Sequence, residues 1–460
     1  MPGSRRAWSS WRGPSGRHTA CAACRSPGTT DQPRFLLDIE ISPVKISCMT
    51  EPLTRRGIPL DPRLRSLAAI TLIDRMGSGA YLTIFAVYFT RSVGLSAHDV
   101  ALALSTAALV AVLVSVPAGH LADIRQPRAI VTVASLGAAV SVCLLTLVHS
   151  AWALVAMVAV QTLCERLSNG ARNALIPRIA VGGEGVRFKA YLRAVTNTAM
   201  AAGATLGGAA LFLDTTAAYL MAFALDAASF ALVAVLARRL PTVPLVTHDT
   251  PGSRWQVFRD RPYVAVTLAI SVLSMHFIIM EVGIPLSLVN AFGAPTWLVA
   301  ATLLINTVMC ATLQVRLSRS SDSVLTGRRT LLSGSIWVAG GFVLYGLGAW
   351  LGGTALVVLA LAGAVVHTVG EMISSGGQWG VQFGLAPQER QGQYQAFGSL
   401  PFSLSGIAAP PLIAWLCVDH GAVGWWVLAA VMMAAGAACV PLAGWALRTR
   451  DQYGVTTHTG

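Results

Sequence analysis

From Leu67 to Leu447 the chain is a succession of apolar runs of roughly 18–25 residues, parted by short polar joints. A run of that length crosses a hydrocarbon core of ~30 Å as an α-helix. Helix is forced on it, because unpaired backbone groups are too costly in lipid. The pattern predicts spans near 67–90, 99–119, 129–148, 152–170, 190–213 and 217–237. A second set follows near 264–288, 297–315, 330–350, 354–373, 394–417 and 422–447. The expected fold class is an all-α polytopic membrane protein with 12 transmembrane helices.

The polar joints test that count. Arg55, Arg56, Arg63 and Arg65 precede the first span, and Arg125 and Arg128 follow the second. Arg172, Arg178, Arg187 and Lys189 follow the fourth, and Arg238, Arg239, Arg254, Arg259 and Arg261 follow the sixth. Arg316, Arg319, Arg328 and Arg329 follow the eighth, Arg390 the tenth, and Arg448 and Arg450 the last. The alternate joints hold a single Arg, Arg91. Basic loops stay in the cytoplasm, so both termini are expected there and the number of spans is even. One helix missed or invented would invert every later joint.

An internal repeat divides the spans into two pseudo-symmetric six-helix halves. Glu165-Arg-Leu-Ser168-Asn-Gly170 in span four recurs as Glu371-Met-Ile-Ser374-Ser-Gly376 in span ten, and the same offset carries Gly77 onto Gly283. Glu184 falls beside Glu389 at nearly that spacing. Equal helix numbers in the same orientation make the repeats parallel, about an axis along the membrane normal. The expected organisation is a polar, basic, disordered N-terminal extension over 1–62, six-helix bundles over 63–240 and 263–447, a cytoplasmic linker over 241–262 and a tail over 448–460. Met49 opens a plausible alternative start.

Composition changes this picture only by exclusion. Charged residues make up 12% of the chain and hydrophobic ones 54%, with a mean hydropathy of +0.63, whereas about a quarter of a soluble domain is charged. The net charge of +13 suggests a nucleic-acid partner, but the cations are scattered through short joints instead of forming one stripe, so none is expected. Cys21-Ala-Ala-Cys24 has the spacing of a metal or redox pair, yet no second pair or His cluster completes it. No metal and no cofactor are expected. No P-loop, paired-His motif or nucleophile elbow is present, so neither ATP drive nor enzymatic activity is expected.

Span two ends in Gly119-His-Leu-Ala-Asp123-Ile-Arg125-Gln-Pro-Arg128. This stretch resembles the signature loop of the major facilitator superfamily, Gly-x-Leu-Ala-Asp-Arg-x-Gly-Arg-Arg, keeping Gly119, Leu121, Ala122, Asp123 and the final basic Arg128. It departs at Ile124, Gln126 and Pro127. Gly119 lets two helices approach, and Asp123 can face a helix N-terminus or an arginine and lock one conformation. The plainer alternative is a loop that only obeys the charge rule. Gly203-Ala-Thr-Leu-Gly207-Gly208 in span five resembles the Gly-Pro-x-x-Gly-Gly element of proton-driven drug exporters in that superfamily, with Ala204 in place of Pro; ordinary small-residue packing would look the same. The resemblance implies a central cavity lined by spans one, four, seven and ten.

Ionisable groups inside spans are costly and mark pathways. Asp74, Ser78 and Tyr81 share a helix face, and Arg75 follows Asp74. Asp226 lies in span six, His276 and Glu281 in span seven, and His367 with Glu371 one turn apart in span ten. For Asp74 and Glu281 a proton-coupling or cavity role competes with structural pairing; Glu281, without a neighbouring cation, is the better proton carrier. Glu165, Arg166 and Glu371, near the cytoplasmic ends, suit a gate or loop pairing. The function expected is secondary transport of a small molecule by alternating access, most simply proton-coupled efflux of a drug or secondary metabolite, by a monomer in the plasma membrane. An importer on the same scaffold, a channel and a membrane enzyme are the alternatives.

Overall fold

The computed structural model describes residues 58–180, 183–243 and 256–453. Residues 1–57 of the N-terminal extension, with the start at Met49 and the Cys21–Cys24 pair, and most of the linker lie outside the described residues.

The first half comprises α1 (Pro62–Val87), α2 (Ala97–Ile124), α3 (Pro127–Leu145), α4 (Ala151–Ile179), α5 (Gly183–Leu213) and α6 (Thr216–Leu236). After a short α7 (Gln256–Arg259) come α8 (Arg261–Ile278), α9 (Trp297–Leu317), α10 (Val324–Leu351) and α11 (Gly353–Leu385). The eleventh span is broken into α12 (Gln391–Gly398) and α13 (Leu400–Ile413), and α14 (Gly421–Arg448) is the twelfth. Ten of these spans are apolar enough to cross a membrane on composition alone. The other two, α1 with 26 residues and α5 with 31, are long enough but carry Asp74 and Arg75, or Lys189 and Arg193.

Local chemistry sets the ends. Asp61 caps α1 by accepting from the Arg63 N–H at 2.8 Å, ahead of Pro62 at the first helical position. Ser96 and Asp99 form a reciprocal capping box on α2. Gly352 and Gly353, at φ +67° and +54°, make the tight reversal between α10 and α11, a conformation that excludes most side chains.

The main helix pairings of the first half have counterparts in the second. α1 packs on α5 and α6, as α8 packs on α13 and α14. α4 packs on α2 and α3, as α11 packs on α9 and α10; α3 meets α6 as α10 meets α14. The repeated glycines make equivalent contacts: Gly170 of α4 faces Ala118 and Gly119 of α2, while Gly376 of α11 faces Ser318 at the end of α9. Large apolar side chains such as Phe212 and Trp152 point outward, 90% and 77% exposed, which only lipid makes acceptable.

Three elements differ from simple spans. α4 and α5 extend well past the predicted 152–170 and 190–213, so Arg172, Arg178, Arg187 and Lys189, expected in a loop, are helical. Their charges ended the apolar pattern without ending the helices. α8 runs on into a π-helical stretch, Ile279–Ala291, around Pro285; proline has no N–H to give, and the wider turn re-routes the ladder. The expected tail is also anchored at its start. Arg450 is fully buried, donating to Asp260 at 2.8 Å and to the Leu385 and Ala446 carbonyls at 2.7 Å.

Candidate functional site

In the first half, Asp74 of α1 is the hub. Arg172 of α4 donates to its carboxylate at 2.9 Å and Arg75 lies at 3.3 Å. Asn169 accepts from both guanidiniums, at 3.0 Å from Arg75 and 2.5 Å from Arg172. Tyr81, two turns on, donates to Gln161 at 2.9 Å, and Gln161 donates to Glu165 at 3.3 Å. Asp226 reaches toward α1 from α6, where Gly77 has no side chain to obstruct it. It is fully buried, and neither carboxyl oxygen has a hydrogen-bond partner among the described residues.

In the second half, His276 of α8 and His367 of α11 bring ring nitrogens to 3.3 Å, enclosed by Phe342 and Tyr345. The Glu281 side chain lies outside the described residues. Glu371, one turn beyond His367, accepts from Asn306 of α9 at 2.7 Å and from Arg193 at 2.7 Å. Arg193 belongs to α5 of the other half, and its guanidinium also sits 4.6 Å over the Phe277 ring. This ion pair therefore ties the halves together.

A second tie lies at the arginine-rich end of the bundle. Asp123 at the end of α2 accepts the Gly392 N–H at 2.7 Å and the Gln393 N–H at 2.8 Å, amides of the first turn of α12 that have no partner within the helix. Arg178 at the end of α4 adds a charge-assisted bond to the same carboxylate at 2.5 Å. Gly119 and Gly392 meet so closely that a methyl on either would strike the other's carbonyl oxygen. Arg128, the basic member of the predicted loop motif, is exposed and makes no ion pair among the described residues. Its place is taken by Arg178, which sequence had assigned to a loop.

Of the small residues in span five, Gly203 lies against the Met76 carbonyl of α1 and Gly207 against the Ala80 carbonyl and Thr83. Gly208 faces open space, so it is not part of that packing seam.

Between the two ties lies a cavity of about 380 Å³. α1, α4, α8 and α11 all line it, joined by α2, α5 and the eleventh span. Arg75 is on its wall; Asp74, Tyr81, Asp226, His276, His367 and Glu371 are not among the residues that line it. Lys189, Arg193, Asn169, Asn173, Ser375 and Gln378 line it and were missed in sequence. The available signal was a cation every turn along the start of α5, at 189 and 193, with helical spacing where a loop was assumed. Among the described residues no cluster of three His, Cys, Asp or Glu can hold a metal ion.

Two repeated helical halves, tied by a few breakable polar contacts around a charged cavity, define a carrier. Residues 67–378 match the family model described as Major Facilitator Superfamily. The chain belongs to that superfamily, whose members are transporters. Solved structures agree on the fold. A bacterial homologue of the iron transporter ferroportin, in an outward-facing state, superposes with a TM-score of 0.67 at 16% identity, over 83% of this chain and 99% of that one. The human organic anion transporter MFSD10 (TETRAN) gives 0.63 at 12% identity, covering 82% and 98%. The proton:xylose symporter XylE, bound to 6-bromo-6-deoxy-D-glucose, gives 0.61 at 12%, covering 82% and 94%. No curated protein is close enough in sequence to match.

Proposed function

We propose that this chain is a proton-coupled exporter of a small amphipathic molecule, of the drug or secondary-metabolite kind, acting as a monomer in the plasma membrane. The arginine-rich end and both termini face the cytoplasm, because basic joints alternate with nearly uncharged ones along the whole chain. Relatives of this fold serve iron, organic anions and xylose, so fold does not choose the substrate. The resemblance of Gly203–Gly208 to an exporter element supports outward movement.

Asp226 carries the proton-coupling reading. A carboxyl at full burial without one donor or cation in hydrogen-bond range among the described residues is a group that must exchange a proton to change its surroundings. It sits at the α1–α6 contact of the half that holds Asp74. Loading and unloading it would bias which packing of α1 is stable, and so which side the cavity opens to.

The test uses everted vesicles energised by respiration, with amphipathic dyes as probes. Export appears as gradient-dependent accumulation inside the vesicles. Asp226→Asn, nearly the same shape, is expected to reduce gradient-driven accumulation at least tenfold while dye binding stays within about threefold. Unchanged coupling in that variant removes Asp226 from the cycle and returns Glu281 to first place. Gradient-driven efflux from the vesicles would instead mark an importer.

A further inference from the structure

The wall of the cavity is charged with one sign. Five cationic side chains line it, Arg75, Arg166, Arg172, Lys189 and Arg193, and no acid does. Three of the five are ion-paired from behind: Arg75 and Arg172 share Asp74, and Arg193 has Glu371. The other two are not. Lys189 gives a hydrogen bond to Asn173, a neutral amide. Arg166 makes neither ion pair nor hydrogen bond among the described residues; Glu165 beside it takes its hydrogen bond from Gln161 and acts on Arg166 only through space.

The positive-inside rule does not account for these two. It concerns loop charges, and Arg128 and Arg319 show how they sit, exposed to solvent. Arg166 and Lys189 lie within α4 and α5 and turn into the space between the halves. A focused positive field in a low-dielectric cleft is costly when empty and is relieved by an anion.

A second observation points the same way. The Ser375 hydroxyl, on the cavity wall and 97% buried, has no hydrogen-bond partner among the described residues, and neither has the buried Nε of Arg193. Both are donors left unused. Phe277, Phe402 and Trp379 supply apolar and aromatic wall, and a volume of about 380 Å³ suits an organic molecule of modest size.

We propose that the substrate is an organic anion, its carboxylate or equivalent acid group held by Arg166 and Lys189 and its apolar body against Phe277, Phe402 and Trp379. This rests on the cavity being the transport site. Because Arg193 faces the same space, the bound acid competes with Glu371 for that guanidinium, so substrate loosens one of the polar ties between the halves. Binding is thereby coupled to opening.

The experiment measures thermal unfolding of the full chain in phosphatidylcholine nanodiscs with benzoate, p-aminohippurate and carboxyfluorescein. The methyl esters of the first two and cationic rhodamine 6G are the comparison. At least one acid is expected to stabilise the protein, with an affinity about tenfold or more above its ester. Lys189→Gln and Arg166→Gln should each weaken it about tenfold, Lys189→Arg should retain it, and exposed Arg319→Gln should leave it unchanged. The inference is overturned if esters or rhodamine 6G bind as well as the acids, if no acid binds, or if both Gln variants bind as wild type does. It is also overturned if phosphatidylglycerol alone protects, since a lipid headgroup is then the occupant. Gradient-driven movement of rhodamine 6G with the acids ignored would sink this inference and spare the transporter. Acid binding with no movement of any probe would do the reverse.

Discussion

Asp74 shows how one acid can hold two cations inside a membrane. Its carboxylate is buried between Arg172 and Arg75, and Asn169 accepts from both guanidiniums on the far side. Arg172 is itself almost fully buried, so removing the acid strands a cation that has little access to water. Asp74→Asn should therefore cost about 3 kcal/mol of stability. Thermal unfolding in detergent checks this, and Asp74→Glu should recover most of the loss. An unchanged melting temperature would mean that Asn169 and cavity water suffice for Arg172. Sequence revealed only half of this cluster. The Asp74–Arg75 adjacency was legible, but Arg172 lies 98 residues further along, and no local pattern links such positions. The same holds for Arg193 and Glu371, separated by 178 residues.

At the scale of elements, the junction of α2 with α12 is a latch made of one side chain and two backbone amides. Asp123 was legible because the Gly119–Arg128 stretch resembles a known loop. Its partners were not: an N–H at the first turn of a helix belongs to no residue type, and Gly392 and Gln393 advertise nothing. The acid satisfies two amides and Arg178 together. Asp123→Asn keeps the shape and loses the charge, which should weaken the closed state by about 2 kcal/mol, roughly 30-fold in the open–closed equilibrium. Spin labels at Arg125 and Gln388, placed after replacing the eight native cysteines, should report a longer distance population in the variant. If the distribution is unaltered, Gly119–Gly392 packing alone holds that end shut. The helix ends were misplaced for a related reason. Apolar periodicity locates the part of a helix that lies in lipid, whereas α4 and α5 continue as polar helices around the cavity.

For the whole molecule, the twelve spans and their pairing into halves follow from length, alternating charge and one internal repeat. Those features reflect the solvent, which acts on every span alike. The contents of the cavity follow from how the halves meet, which no repeat encodes, and only there do Arg166 and Lys189 share a wall without an ion pair among the described residues. The network around Arg450 is a further case: Asp260, Tyr394 and Arg450 converge from the beginning, the eleventh span and the end of the second half. Arg450→Met should cost about 3–5 kcal/mol by leaving Asp260 buried without its cation, and Asp260→Asn on the same background should restore part of it. Thermal melts of the single and double variants decide this, and additive losses would mean that the pair is not coupled.

That pairing also has a bearing on biosynthesis. Asp260 heads α8, yet the arginine that completes its surroundings is 190 residues away in the chain. A ribosome must make every remaining span before the seventh can settle. The first half has no such debt, since Asp74 meets Arg172 by the end of its fourth helix. Assembly should then be ordered, with the first bundle closing during synthesis and the second only once its final helix has entered the membrane. Until that moment Asp260 stays at the rim, where water can still reach it.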